Sequence, residues 1–369
     1  VRTAAGDLRG LAAASCRRPG AEAWLVGGST SLGSSARLVL QNPGSTPATV
    51  DVELWGPAGA VELAGAPEYL VPPGAERVVL LEGVAAEQSR VVVHLSASGG
   101  LVTAYLQDSQ LRGLVPAGVD YVVPGRAPAQ RQVVPALSVT ETAIDGADTA
   151  ALRLLVPGDR DGTARISLLG PDGPQDLPGA DEVELDAGAV LDVPLAGLPA
   201  GDWTAVVESD VPVVAAALVT RGTGVGRPAG DAPSRAPLDR AWVPSVASGV
   251  SGPLALPGGR GVLTLGVATD DDVTGAARAE LEVLDGDGAS LGTRDLRLAA
   301  GTTTSIPLDA LLGPDVPAPD PAAVVLRTED PRIAWGAVLV EPSAAGDLVA
   351  ALVPVGPARA QPEVLVRLR

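Results

Sequence analysis

The chain contains no lysine, no phenylalanine and no methionine, and only one cysteine, one histidine and one asparagine. Each shortage excludes something. Cys16, standing alone, forms no internal disulfide, so packing must hold the fold together. A catalytic triad or a histidine-based metal centre would have to be built around the single residue His94. With 5 Trp, 3 Tyr and no Phe, the cores must be Val, Leu and Ala. Each such Val or Leu contributes roughly 1.5–3 kcal/mol when buried. Every basic residue is arginine, a bias that fits GC-rich coding better than a functional demand. A net charge of −18 argues against a nucleic-acid partner, because phosphate binding needs clustered cations. No apolar run approaches the ~18 residues of a membrane span. Ala13-Ala14-Ser15-Cys16 faintly resembles a lipoprotein cleavage box, but Arg2, Asp7 and Arg9 break the apolar stretch such a signal requires.

What the chain has in abundance is turn chemistry, with Gly 45 and Pro 34 among 369 residues. These residues recur with a beat. Leu54-Trp55-Gly56-Pro57-Ala58-Gly59 aligns with Leu168 to Gly173 and with Val283 to Gly288. A second marker, Pro73-Gly74-Ala75, recurs as Ala187-Gly188-Ala189 and Ala300-Gly301-Thr302. A third consists of the apolar runs 100–106, 212–218 and 331–339. A fourth is Val133-Val134-Pro135, Trp242-Val243-Pro244 and Leu352-Val353-Pro354, read as opening each next unit. Markers in one constant order mean one unit copied along the chain.

Before each first turn the apolar residues alternate. Val50, Val52 and Leu54 correspond to Ala164, Ile166 and Leu168, and to Ala279, Leu281 and Val283. Period-two alternation predicts half-buried antiparallel strands. Seven or eight such runs per unit predict an all-β protein of three tandem immunoglobulin-like β-sandwiches. The units are placed at 23–124, 133–221 and 241–355. An irregular leader is expected at 1–22, with one short helix around Leu8–Ala14, and a tail at 356–369. Pro314 to Pro321 reads as an insertion loop in the third unit. The units form either a string or one pseudo-threefold body, with strand 23–27 pairing with 348–355; the pattern leaves both open.

Candidate chemistry is sparse. By alternation His94 shares a solvated face with Arg90 and Ser96. Asp285-Gly286-Asp287-Gly288 and Asp270-Asp271-Asp272 invite a calcium reading. No bidentate Glu follows the first at the right distance, and its counterparts in the other units are plain turns. Gly222 to Gly226 lacks dinucleotide spacing. No metal, cofactor or catalytic set is expected, although 44 acidic residues leave a carboxylate-pair glycosidase as an alternative. Among the aromatics, Trp55 and Trp203 are the candidate ligand or interface contacts. An exposed ring at either would suit carbohydrate binding, since sugars stack on aromatic faces. Trp24 and Trp242 read as packing between units, and Tyr105 and Trp335 as core.

The stretch from Cys16 to Val52 carries a resemblance. Its Cys-x-x-Pro, then Trp24-Leu25-Val26-Gly27-Gly28, then Leu38 to Gly44, then Ala48-Thr49-Val50 resembles an actinobacterial family of envelope proteins, family of unknown function 5719. The resemblance implies an extracytoplasmic β-rich region behind a membrane anchor, which this chain, opening at Val1, would lack. It implies a protein or glycan partner, including a cell-envelope glycosyltransferase, and supplies no catalytic residues. The expectation is a non-enzymatic structural or interaction module.

Overall fold

The computed structural model describes residues 1–140, 150–177, 182–222, 237–269, 275–313 and 321–356. Nearly all regular structure is antiparallel strand, arranged as three two-sheet units. In unit 1 a front sheet orders Glu22–Val26, Val92–Ser98 and Ala48–Gly56, with Gly59–Val61 and Glu68–Val71 on the last. A back sheet orders Val115–Val122, Thr103–Arg112, Ser34–Gln41 and Glu76–Leu80.

Unit 3 repeats the plan. Its front sheet is Gly252–Ala255, Ala323–Arg327, Ala277–Leu284 and Ser290–Leu298. Its back sheet is Leu348–Leu352, Ile333–Glu341, Arg260–Val267 and Thr303–Pro307. Unit 2 fuses two strands. Gly201–Gly222 pairs through its first half with Ala129–Val139 and Gly162–Gly170 in front. Through its second half it pairs with Ala151–Leu155 and Leu238–Pro244 behind.

The repeat markers sit where turn geometry needs them. Gly59, Gly173 and Gly288 occupy the same hairpin bend at φ +123°, +129° and +81°. Gly74, Gly188 and Gly301 precede the same back-sheet strand at φ +66°, +77° and +75°. A side chain at any of these positions would strain the backbone. The alternating residues face inward as predicted, with Val50, Ala164 and Leu281 at 0% exposure.

Two expectations are corrected, one open alternative is decided and the sandwich type is refined. The leader contains no helix over Leu8–Ala14: Arg2–Ala4 pairs with Gly10–Ala12 around a 3-10 turn at Gly6–Leu8. Tertiary packing sets this choice, because a Cβ on Gly10 would overlap Asp239 and Val119, and Leu11 and Ala13 join the core of unit 3. Strand Glu22–Val26 pairs with Val92–Ser98, not with the chain's end. Trp242-Val243-Pro244 lies in the closing strand of unit 2 rather than opening unit 3. Finally, the arrangement departs from the immunoglobulin pattern at its edges. The second strand pairs with the strand at 76–80, and the strand at 48–56 with that at 92–98, as in that fold. However, Glu22–Val26 joins the front sheet and Thr103–Arg112 the back, an exchange of edge positions.

Candidate functional site

Strand pairing defines equivalent positions across the three units, and these show one docking arrangement used twice. The back sheet of each later unit lies on the front sheet of the unit before it. At the first junction, Trp24, Trp55 and Val92 of unit 1 pack with Leu155, Val214 and Ala216 of unit 2. At the second, Val133, Leu169 and Val206 of unit 2 pack with Ala268 and Ala334 of unit 3.

The polar contacts follow the same map. Val190 N–H donates to Gly56 O at 3.0 Å, and at the second junction the Thr303 hydroxyl donates to Leu169 O at 2.7 Å. Asp192 faces Arg90 at 3.6 Å, and Ser305 donates to Asp202 at 2.8 Å from the matching place. Arg153, at 3% exposure, crosses the first junction. It pairs with Asp192 at 2.7 Å, donates to Gly28 O at 2.7 Å, and lies 4.7 Å over the Trp242 ring.

A buried acidic hub ties the closing strands together. The Asp239 carboxylate accepts the amides of Leu11 at 2.9 Å, Val349 at 2.8 Å and Val119 at 3.4 Å. One side chain of unit 2 therefore holds the leader, unit 1 and unit 3. Burial pushes its carboxyl up to about 6, against the pull of those amides. Beside it, Asp120 accepts the Trp242 amide at 2.6 Å, and Asp108 accepts the Trp242 indole N–H at 2.9 Å. Burial raises Asp120 well above the ordinary range, and the neighbouring Asp239 and Asp108 charges add to this. Arg240 bonds to Ala117 O at 2.9 Å, to Gln110, and to Asp108 at 3.4 Å, so it supplies the hub's positive charge.

The structure buries both candidate tryptophans. Trp55 is 9% exposed, stacks 5.5 Å from Trp24 and lies beneath unit 2. Trp203 is 2% exposed in the core of unit 2, with its indole N–H on Pro199 O. Neither offers the open ring face that sugar stacking requires, because each sits where two surfaces close. Tyr105, read as core, points outward opposite Val39 and meets Tyr121 edge-on at 5.2 Å. The run Leu101 to Leu106 has apolar residues of both parities, so alternation there did not fix the face.

His94 is not freely solvated. Its ring stacks 4.2 Å from Trp24, and its nitrogens face Glu53 at 2.7 Å and Glu22 at 3.2 Å. At 285–288, Asp285 Oδ1 accepts the amides of Asp287 and Ala289, which makes the loop a self-satisfied turn. Residues 270–272 and 223–226 lie outside the described residues. Among the described residues no group of three or more His, Cys, Asp or Glu converges to hold a metal ion.

A family model described as a family of unknown function, DUF5719, matches residues 1–309. The chain belongs to the DUF5719 family. The match ends inside unit 3, after the back-sheet strand Thr303–Pro307, so it takes in the first junction and stops short of Ala334 in the second. No curated protein matches the chain. A solved structure, Thermotoga maritima 1070, is 20% identical and covers 31% of this chain and 92% of its own, with a TM-score of 0.24. At that score it carries no structural argument.

Sequence reasoning missed the hub. Asp120 and Arg153 sit within strands that otherwise read as apolar, whereas Asp108 lies in the polar run Gln107-Asp108-Ser109-Gln110 and Asp239 beside Arg240. A charged residue inside such a run, as in Leu152-Arg153-Leu154, is the signal that was available. Charges are rarely buried unless paired.

Proposed function

We propose that this DUF5719 chain is a non-catalytic, extracytoplasmic interaction module of the cell envelope, presenting its surfaces to an envelope protein or glycan, with a cell-envelope glycosyltransferase as the favoured partner. The observation that carries the reading is the repeated junction. Two equivalent docking contacts and the Asp239 hub fix three sandwiches relative to one another. Bodies of this kind hold partners at set spacing, because loops and sheet edges are carried on a frame that does not flex. Two of the buried charges, Arg153 and Asp239, are spent on contacts between units.

Immobilised protein incubated with detergent-solubilised envelope extract is expected to retain a defined protein or glycan. That retention is expected to fall when outward-facing loop residues are substituted and to persist when residues of neither junction nor loop are changed. Recovery of nothing above a denatured-protein control would end the interaction reading. Turnover of an envelope glycan by the purified chain would replace it with an enzymatic one.

A further inference from the structure

Each internal junction joins one front sheet to one back sheet. Among the three units described, one of each is left with its outer face uncovered by another unit: the back sheet of unit 1, joined to unit 2 only along its inner edge, and the front sheet of unit 3. We propose that these two surfaces are halves of one further interface, and that copies of this chain associate head to tail, the back sheet of unit 1 in one copy docking on the front sheet of unit 3 in the next. The inference rests on the junction geometry and not on the envelope reading.

The unused back sheet is the more apolar half. Val78 and Leu80 lie on its outer face and are each 49% exposed. Val78 occupies the register position of Asp192 and Ser305, the residues that reach the preceding unit at the two existing junctions. Val39, between Val78 and Tyr105, takes the place of Arg153 and Thr264. The leader covers only the far edge of this sheet, where Ala4, Leu8 and Ala12 meet Gln107, Val119 and Tyr121. In the half that does the docking elsewhere, Val78 and Leu80 are exposed, while Val39 between its neighbours is 4% exposed.

The unused front sheet offers a matching seat. Leu284 aligns with Trp55 and Leu169, both buried under a neighbour, yet is itself only half-buried. Ala323 pairs with it, in the place of Val92 and Thr204. Applying the existing docking map puts Val78 against Pro321, where Ser305 meets Asp202. Pro321, Ala322 and Gly286 line an open hollow of about 600 Å³ at this end of the sheet. Apolar surface thus faces apolar surface at the position where the existing junctions place their contacts.

The far end of the same sheet is different. There Arg327 bridges Glu280 and Glu282 at 3.1 and 2.7 Å. A charged surface suits a face left in water.

An interface of two unlike halves is heterologous and grows open-ended unless its rotation closes a ring. Sedimentation velocity of the full chain from about 1 μM to about 1 mM spans the range of weak self-association. Weight-average mass is expected to rise at least about twofold across it. The paired variant Val78→Glu/Leu80→Glu and the single variant Leu284→Glu are each expected to stay monomeric. Both change partly exposed positions, and thermal unfolding near the parent's confirms their fold.

The decisive measurement mixes the two. Each variant keeps one good half, so an equimolar mixture should form one-to-one dimers and nothing larger. A parent that remains monomeric at the highest concentration overturns the proposal, as does a mixture that stays monomeric. Association that survives both substitutions would assign it to another surface. Capture of a different protein by these faces, with the parent monomeric, would give the surface to that partner and end the self-association reading.

Discussion

The two internal junctions share a docking map and almost no chemistry. The first is built from large and charged groups: Trp24, Trp55, Trp242, Arg153, Asp192 and Arg240. The second brings small groups to its closest approach, Gly266, Thr204, Thr303, Ser305, Ala268 and Ala334, beside Val133, Leu169, Val206, the Asp202 carboxylate and Arg131, which donates to Thr269 O. At the position where Arg153 carries a buried guanidinium in unit 2, unit 3 has Thr264, bonded to Gly336 O at 3.3 Å. Equivalent backbone pairings therefore set the approach of two sheets, and side chains then fill whatever gap remains. One gap was filled by rings and an ion pair, the other by drawing the backbones together.

The sharpest way to break the comparison is to remove the group that most distinguishes the first junction. Arg153→Ala leaves Asp192 with only the longer Arg90 contact at 3.6 Å and takes from Gly28 O its shorter donor, the Val91 amide at 3.3 Å remaining. Removing one partner of a buried pair is expected to cost about 3 kcal/mol or more. Urea unfolding should show a lowered midpoint. Arg153→Met keeps the aliphatic stem over Trp242 and should lose less. Thr264→Ala, at the matching place in the second junction, should cost about 1 kcal/mol, the usual worth of a hydrogen bond. Equal losses for Arg153→Ala and Thr264→Ala would mean that the junctions do not differ as described.

The second contrast is in pH. Asp239 titrates near 6 in the folded chain and near 3.8 when unfolded. Between those values the unfolded state binds fewer protons, so stability falls as pH rises through the window. The contribution is whole below about 3.8 and gone above about 6. A displacement of about two units corresponds to about 3 kcal/mol. Asp120, raised in the same direction, adds to the trend. Asp239→Asn should flatten the slope between pH 4 and pH 6, while costing stability at every pH because its amide faces N–H donors. Ser305→Ala, at the second junction, should leave the slope as it is. An unchanged slope in Asp239→Asn would remove Asp239 as its source.

How much of this was readable in advance divides along physical lines. Alternation fixes a face when only one parity is apolar, which is why Val50, Ile166 and Leu281 were placed correctly. The glycine beat identified the bends because positive φ is a local demand that Gly59, Gly173 and Gly288 meet by themselves. The junctions are not local. Trp55 as a ligand platform and Trp55 under a neighbouring unit look identical in one strand. Only the docking of unit 2 decides between them. The same holds for Asp239, whose three acceptor contacts come from residues 110 or more positions away. The leader failed for the same reason. Leu8–Ala14 has helical composition, and the groove between units overrode it.

The second junction can be tested by adding volume. A Cβ at Gly266 would overlap the Thr204 side chain, which is fully buried. Gly266→Ala is expected to cost about 1–3 kcal/mol from overpacking. Thr204→Ala opens the space but leaves the Thr303 hydroxyl short of one partner. The double variant should therefore be more stable than the sum of the single losses predicts, by about 1 kcal/mol, the coupling typical of touching residues. Additive losses would show that the sheets move apart rather than pressing on that contact.

The smallest effect lies at the rim of the first junction, where His94 meets Glu22 and Glu53. Both carboxylates are more than half exposed, at 58% and 63% of their side-chain surface. Solvent screens such pairs, so Glu22→Gln and Glu53→Gln should each cost less than about 1 kcal/mol. The loss should shrink further in high salt, where exposed charges are screened within a few ångströms. The Arg153 effect should persist in the same salt, because its guanidinium is buried at the interface. Glu22 has an additional tie that Glu53 lacks, since its carboxylate also accepts the Trp24 indole N–H at 3.0 Å. Glu22→Gln keeps an acceptor for that indole, whereas Glu22→Ala does not. Tryptophan fluorescence should therefore shift for the alanine variant and stay near the parent's for glutamine. An equal shift in both would place the indole's environment under the control of the charge rather than the hydrogen bond.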